Sequence, residues 1–192
     1  LNKIELYHPI DDDNSVYNAT VVPMDLELDK NNRLWASSTI SPEYSMVGGQ
    51  WGDNPPKGGG KLYRLNEEGT SATFIYAIKI DRNTSNGTVT MQGRRTEMAF
   101  TADNQLIVLC IAPELYEGYW RVVPRLYKGS IENWIQGTQK ELPKPNDNDT
   151  GIEVYDFARG QGYYSVSLAA HPSNKDRAYV GGINLFSSNQ AG

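Results

Sequence analysis

The sequence is poor in the residues that build covalent or metal-centred sites. Its 192 residues include one cysteine, Cys110, and two histidines, His8 and His171. A single cysteine cannot form a disulfide within the chain, and its apolar neighbours from Leu106 to Ile111 predict a buried, inert thiol. Two distant histidines do not match the ligand clusters of transition-metal sites. The sequence therefore predicts no disulfide and no such metal site.

Charge, hydropathy and motifs exclude further classes of protein. The formal net charge is -5, and the basic residues are dispersed, whereas nucleic-acid binding favours a basic stripe that neutralises phosphates. No apolar run approaches the roughly 20 residues of a membrane-spanning helix. Nucleophile elbows and nucleotide fingerprints are missing, and the glycines before Lys61 precede a strand pattern rather than a helix. We therefore expect no nucleic acid, no membrane span and no cofactor.

What the chain does contain is an internal repeat. Three stretches, 24–35, 96–107 and 166–179, each combine an alternating strand, a polar turn and a second apolar strand. A shorter shared piece follows each stretch: Leu62–Arg64, Leu126–Lys128 and Leu185–Ser187. No apolar pattern of helical period lasts three turns, and residues 130–135 fit either a helical turn or a turn and short strand. Repeated hairpins of this kind predict an all-β chain arranged as a β-propeller.

The spacing of the repeats predicts about three blades of antiparallel sheet, since one copy follows the next after about 60 residues. The blades are predicted at approximately 22–80, 94–136 and 152–192, the last ending after its third strand. Closed propellers typically have about 4–8 blades. We therefore expect a fragment of a larger propeller, whose remaining blades come from a longer chain or another subunit.

The third copy also resembles a known family. Residues 162–174, followed by 178–188, are similar to the BNR or Asp-box propellers, closest to those of large secreted proteins of the Bacteroidetes type. More distant similarity is to sortilin-like and xyloglucanase-like propellers. The Ser and Asp positions of the Asp box fall on Leu65 and Glu67 in one copy, and on Ser188 and Gln190 in another. The box, a turn-stabilising device in this family, is therefore degraded here. The resemblance implies a secreted or cell-surface protein.

Polar residues offer few catalytic candidates. Glycoside hydrolases commonly use two carboxylates, and four carboxylates lie near predicted strand starts: Asp25, Glu27, Glu97 and Asp156. Repeated positions are more typical of a structural role, so no catalytic residue is assigned. The arginines show no motif of the sialidase triad. The oxygen-rich turns 11–14 and 146–149 lack the spacing of an EF-hand loop, so no metal ligand is assigned.

Aromatic residues in the predicted loops are the candidates for ligand binding. Tyr44 and Trp51 lie in the Gly/Pro-rich insertion 41–60, and Tyr119 and Trp120 precede the second Leu-Tyr piece. Such residues stack on sugars or anchor protein interfaces, and they can equally cover the flank of a neighbouring blade. By contrast, Trp35 and Tyr179 occupy one repeat position and are predicted to be core residues.

These observations predict a propeller module that binds a glycan or a protein through its loop face, without catalysis in this fragment. One alternative is part of a BNR-type glycoside hydrolase that shares its carboxylate pair with further blades. A structural spacer of a surface protein is the other, since a propeller fold alone does not imply chemistry.

Overall fold

The structure is a computed structural model. It describes the following residues: 4, 6, 21–39, 59–84, 87–116, 119–145, 150, 156–162 and 164–188. Three antiparallel sheets and one two-stranded hairpin account for the strands in this part of the chain. The prediction of an all-β chain is therefore confirmed.

The first sheet is a four-stranded meander in which each strand pairs with the next along the chain. Its strands are β1 (Val22–Leu28), β2 (Leu34–Thr39), β3 (Lys61–Leu65) and β4 (Ala72–Ala77). The hairpin β5 (Lys79–Thr84) and β6 (Gly87–Gln92) follows. The polar residues from Asp81 to Thr84 belong to β5, because they pair with β6 outside the main sheets.

The second sheet repeats this order and contains the longest strands. It consists of β7 (Thr96–Phe100), β8 (Leu106–Tyr116), β9 (Tyr119–Gly129) and β10 (Lys140–Leu142), with helix α1 (Ile131–Gln136) before β10. Ser130 caps the helix and Asn133 completes a capping box, while Gly137 ends it at φ 69°. These caps decide between the helix and the short strand that the sequence left open. Strand β10 falls within residues 137–151, whose polar, proline-containing composition is typical of a connection.

The third sheet has three strands: β11 (Ser167–Ala170), β12 (Ala178–Gly181) and β13 (Leu185–Ser188). The pairing registers follow the sequence repeat in all three sheets. Trp35 pairs with Arg64, Ile107 with Lys128, and Tyr179 with Ser187. Residues that align in sequence therefore occupy equivalent places in the three sheets.

The three sheets stand side by side, with their first strands as neighbours: β1 contacts β7, and β7 contacts β11. Alternation along β8 fills both interfaces of the second sheet. Leu106, Val108 and Cys110 pack with Trp35 and Leu62 of the first sheet. The intervening Ile107, Leu109 and Ile111 pack with the third sheet. The first sheet thus packs its apolar side on the second, and the second packs on the third.

Glycines let the backbone of the first two sheets approach closely. A Cβ on Gly59 would lie 2.6 Å from the Cα of Arg94, and one on Gly93 would lie 2.5 Å from the sulfur of Cys110. The Gly60 N–H donates to the Arg94 carbonyl at 2.8 Å, and the Ile78 N–H to the Gly60 carbonyl at the same distance. The first of these bonds joins the two sheets where β3 and β7 begin, and the second continues the pairing of β3 with β4.

Candidate functional site

The two ends of the sheets differ in how their strands are connected. One end, which we call the turn end, carries the turns 29–33, 66–71, 101–105 and 171–177 together with α1, whereas the tight turns of the β8–β9 and β12–β13 hairpins lie at the other end. The opposite end, the insertion end, is where β1, β3, β7 and β11 begin. Residues 40–60, 78–95 and 143–166 all depart from it. Long connections are where binding residues concentrate in proteins, so this end is the candidate functional site.

Strands β8 and β9 extend the insertion end further. Strand β7 pairs with β8 only as far as Cys110, whereas β8 and β9 pair up to Tyr116 and Tyr119. The hairpin therefore projects beyond the rest of its sheet. Tyr119 and Trp120, predicted as loop residues, lie in β9 next to the hairpin tip, and the structure does not describe their side chains. Their proposed role in binding stays a prediction.

The other two predicted binding residues, Tyr44 and Trp51, lie outside the described residues. The structure fixes only where their segment leaves and re-enters the sheets: after Thr39 of β2 and before Gly59. Both points lie at the insertion end. Sequence reasoning missed Tyr164, which is 70% exposed in the connection that precedes β11. The Gly-Tyr-Tyr sequence from Gly162 could have indicated it, as an aromatic beside a glycine on a connection.

The turn end is organised by one repeated position. Asp29, Thr101 and His171 each follow the first strand of a sheet, and each side chain accepts hydrogen bonds from backbone N–H groups of its turn. Asp29 also accepts from the Trp35 indole at 3.2 Å. The Lys30 N–H donates to the Asn104 side chain at 2.8 Å, which links the first two turns. The described side chains at this end therefore serve to hold turns.

Three of the four candidate carboxylates come together on the neighbouring strands β1 and β7. Asp25 accepts hydrogen bonds from the N–H groups of Leu26 and Met98, both at 2.8 Å. It therefore bridges β1 to the inner edge of β7. This supports the structural role that the sequence favoured for Asp25, because an edge N–H group is satisfied in a partly buried place.

The surroundings of Asp25 change the acidity of its neighbours. Burial raises the pKa of Glu27, and the nearby Asp25 carboxylate raises it further. Burial also raises the pKa of Glu97, with Asp25 adding to the effect, although the Arg95 side chain acts in the opposite direction. The two carboxyl groups are thus easier to protonate than a glutamate in water.

Arg95 connects this group to the third sheet. Its guanidinium lies 2.6 Å from the Glu97 carboxylate and donates to the Val166 carbonyl at 3.1 Å. The Arg95 and Glu97 side chains are 16% and 13% exposed. Because alternate residues of a strand share a face, the period of two between Arg95 and Glu97 indicates this pair in the sequence.

The fourth candidate, Asp156, has a different role. It lies in the connection to the third sheet and accepts from the N–H groups of Ala158 and Gly160. The structure places it in a turn of its own, in which its carbonyl accepts from the Arg159 N–H. Asp156 therefore supports a turn, as an Asx motif does.

Within the described ranges, no group of three or more His, Cys, Asp or Glu residues is placed to hold a metal ion. The oxygen-rich turns at 11–14 and 146–149 lie outside those ranges. The same part of the chain has no helix long and apolar enough to cross a membrane.

Comparison with models of protein families finds none that matches this chain, and comparison with curated proteins finds no match either.

Proposed function

We propose that this chain is part of a β-propeller of the BNR type and acts as a secreted or cell-surface module that binds a glycan or a protein. In this proposal each sheet is one blade, and the insertion end is the binding face. The module needs no cofactor, and binding involves no catalysis within these residues. Further blades complete the propeller.

The fan-like order of the sheets supports the propeller. Their first strands are adjacent, each sheet is an antiparallel meander, and each packs face to face on the next. Propeller blades are four-stranded sheets arranged around a central channel, with the first strands innermost. The resemblance of the third copy to Asp-box propellers, and the secretion that it implies, rest on sequence alone.

The observation that carries the binding role is the uneven distribution of connections. All connections longer than a turn, apart from the one that contains α1, leave from the insertion end. Candidate aromatic residues fall on two of these connections, at Trp51 and Tyr164, and Trp120 lies in β9 beside the tip of the projecting hairpin. Aromatic side chains supply large contact areas for sugars and protein partners at a small entropic cost.

A glycan array probed with the labelled 192-residue chain tests this role. We expect Tyr164→Ala, Trp120→Ala and Trp51→Ala to weaken the binding of any captured glycan by about tenfold or more, because anchors of this kind contribute about 2 kcal/mol each. Ile135→Ala is the matched control, since Ile135 is 49% exposed at the turn end. Equal loss in the control, or none in the three variants, would refute the insertion end as the binding face.

A glycoside hydrolase is the second candidate, favoured by the raised pKa values of Glu27 and Glu97 beside Asp25. Such enzymes need a protonated acid next to an ionised carboxylate. Release of reducing sugar from an array ligand, abolished by Glu97→Gln and retained in Tyr164→Phe, would support hydrolysis. Binding without release supports the module, and a chain that captures neither glycan nor protein is a spacer.

A further inference from the structure

Each sheet presents two faces that follow one packing rule. We call the face toward the next sheet along the chain the forward face, and the opposite one the backward face. On the forward faces of the first two sheets, Leu62 and Leu126 are 0% and 4% exposed. The equivalent residue of the third sheet, Leu185, is 76% exposed. Among the described residues, the third sheet therefore has an uncovered forward face.

Tyr179 shows the same contrast on this face. The sequence predicted that Trp35 and Tyr179 would both be core residues, because they share one repeat position. Trp35 is 0% exposed between the first two sheets. Tyr179 is only half-buried, with its ring 6.5 Å from that of His171. The prediction is confirmed for Trp35 and wrong for Tyr179, because no described sheet covers the forward face of the third.

The backward face of the first sheet is also exposed, at positions whose equivalents in the second sheet are buried. In the second sheet, Met98 and Phe100 point backward; Met98 is fully buried, and the Phe100 ring lies edge-on 5.6 Å from that of Trp35. The equivalent residues of the first sheet are Leu26 and Leu28, which are 58% and 56% exposed. The first sheet thus exposes the positions that the second sheet buries.

The outer part of that backward face is already covered by the start of the chain. Ile4 and Leu6 pack with Tyr63 and Leu65. In the second sheet, Tyr127 is equivalent to Tyr63, and the residues packed in its cluster include Ile75 and Tyr76 of β4. Ile4 and Leu6 therefore take the place that a fourth strand of a preceding sheet would fill.

We propose that the forward face of the third sheet binds the backward face of the first sheet in a second copy of this chain. The two faces are the two halves of an interface that already occurs twice within the chain, between sheets one and two and between sheets two and three. In the contact, Leu185 would lie against Leu26 and Leu28 of the partner, as Leu62 and Trp35 lie with Met98. The third sheet, described with three strands, would gain the segment of Ile4 and Leu6 as its outer neighbour.

A contact between two different faces is heterologous, so the copies assemble head to tail, and the ring closes if the rotation allows it. Two copies would place six sheets around one axis, within the usual range of about 4–8 blades. This association needs no ligand, and it is therefore independent of the proposed binding of a glycan or protein.

Sedimentation velocity over a range of concentrations tests the proposal. We expect the 192-residue chain to associate, and we expect Leu185→Lys and Leu26→Lys each to be monomeric at concentrations at which the unaltered chain is not. Both residues are exposed, so neither change disturbs an internal core. Circular dichroism and thermal unfolding confirm that each variant is folded. Ile135→Lys, altered at an exposed position of helix α1, is the control and should associate like the unaltered chain.

Mixing the two variants decides the geometry. Leu185→Lys keeps an intact backward face and Leu26→Lys keeps an intact forward face, so an equimolar mixture should form a one-to-one heterodimer. A chain that stays monomeric at all concentrations would overturn the proposal. So would association of two like faces, in which only one of the variants is monomeric and mixing restores nothing.

Discussion

At the scale of single residues, equivalent positions of the repeat keep the same structural role with different functional groups. Asp29, Thr101 and His171 hold the same turn with a carboxylate, a hydroxyl and an imidazole nitrogen. Asn32 and Asn104, at φ 57° and 65°, complete the first two turns in the left-handed conformation that asparagine tolerates. Each turn needs an acceptor for its N–H groups, and each of the three side chains supplies one.

Asp29 does more than its two equivalents, so its loss should be costly. Burial alone would raise its pKa, but hydrogen bonds from the Arg33 N–H, the Trp35 indole and the Arg33 guanidinium hold the pKa below its usual value. We expect Asp29→Ala to lower the free energy of unfolding by about 2–3 kcal/mol, because a buried charged acceptor is lost from several donors. Urea unfolding at neutral pH measures this value.

Asp176→Ala is the matched control for that change. Asp176 lies in the third turn and pairs with Lys175 at the surface, so its loss should cost less than about 1 kcal/mol. The sign of the pH dependence is a further check. A carboxyl with a lowered pKa stabilises the fold above its unfolded pKa, so the difference between the unaltered chain and Asp29→Ala should shrink as the pH falls through the folded pKa.

The contribution of Glu27 to the stability of the fold should depend on pH in the opposite direction to that of Asp29. Its folded pKa is raised, so its ionised form is disfavoured by the fold. The stability that protonated Glu27 provides is complete below its unfolded pKa and is lost as the pH rises through the folded pKa. We therefore expect Glu27→Gln to melt at a higher temperature than the unaltered chain at pH 7.

The gain from Glu27→Gln should vanish below about pH 4, where the unaltered glutamate is protonated in both states. Glu67→Gln, at an exposed position of the turn after β3, is the control and should not change the melting temperature at either pH. The quantity to compare is the melting temperature of Glu27→Gln minus that of the unaltered chain. If this difference is smaller at pH 7 than at pH 4, the raised pKa of Glu27 is contradicted.

At the scale of elements, the packing of the first sheet on the second can be tested by chemical modification of a cysteine. Cys110 is fully buried there, and burial raises the pKa of its thiol to about 11. We expect an aromatic disulfide reagent to modify Cys110 slowly in the folded chain and at once after denaturation. The slow rate reports how often the two sheets open, since the thiolate reacts only when solvent reaches it.

An exposed reference is needed for that measurement. Ser173→Cys introduces a second thiol on an exposed turn, which should react within the mixing time while Cys110 stays protected. Equal rates for the two thiols in the folded chain would mean that the first and second sheets do not pack as described.

Helix α1 shows how an element can be specified locally and still depend on the fold. Ser130, Asn133 and Gly137 supply its caps within the sequence. Trp134 fixes its place, because the side chain is buried and its indole donates to the Leu106 carbonyl at 3.1 Å. Strand β10 lacks such local features: Lys140, Glu141 and Leu142 become a strand because they pair with β9, where Glu141 meets Arg125 at 2.5 Å.

At the scale of the whole molecule, the sequence predicted the strands that belong to the repeat and missed the strands that lie outside it. The registers of the hairpins and third strands follow from the alignment of Trp35, Ile107 and Tyr179, because a slip by one residue would turn every apolar side chain away from the core. Among the described residues, the extension of β8 and β9 and the hairpin β5–β6 each occur once, so no repeat in the sequence indicates them. Their strands depend on pairing between distant residues, which composition does not record.

For the candidate site too, the sequence could predict some features and not others. Asp25, Glu27 and Glu97 were identifiable as residue types near strand starts, but their grouping depends on the contact of β1 with β7. The exposure of Tyr164 and Leu185 could not be predicted, because exposure depends on which neighbouring sheets are present. A repeat specifies the interface that each copy can make, and leaves open whether a partner is there to make it.

The separation of short turns and long connections has a consequence for how such a protein can change. The turns that set the registers of the β1–β2, β3–β4, β7–β8 and β11–β12 hairpins lie at the opposite end from the segments beyond Thr39, Ala77 and Leu142. Lengthening or exchanging those segments therefore leaves the alignment of the strands intact. New binding loops can therefore be introduced at the insertion end of this scaffold, while the turn end preserves the strand registers.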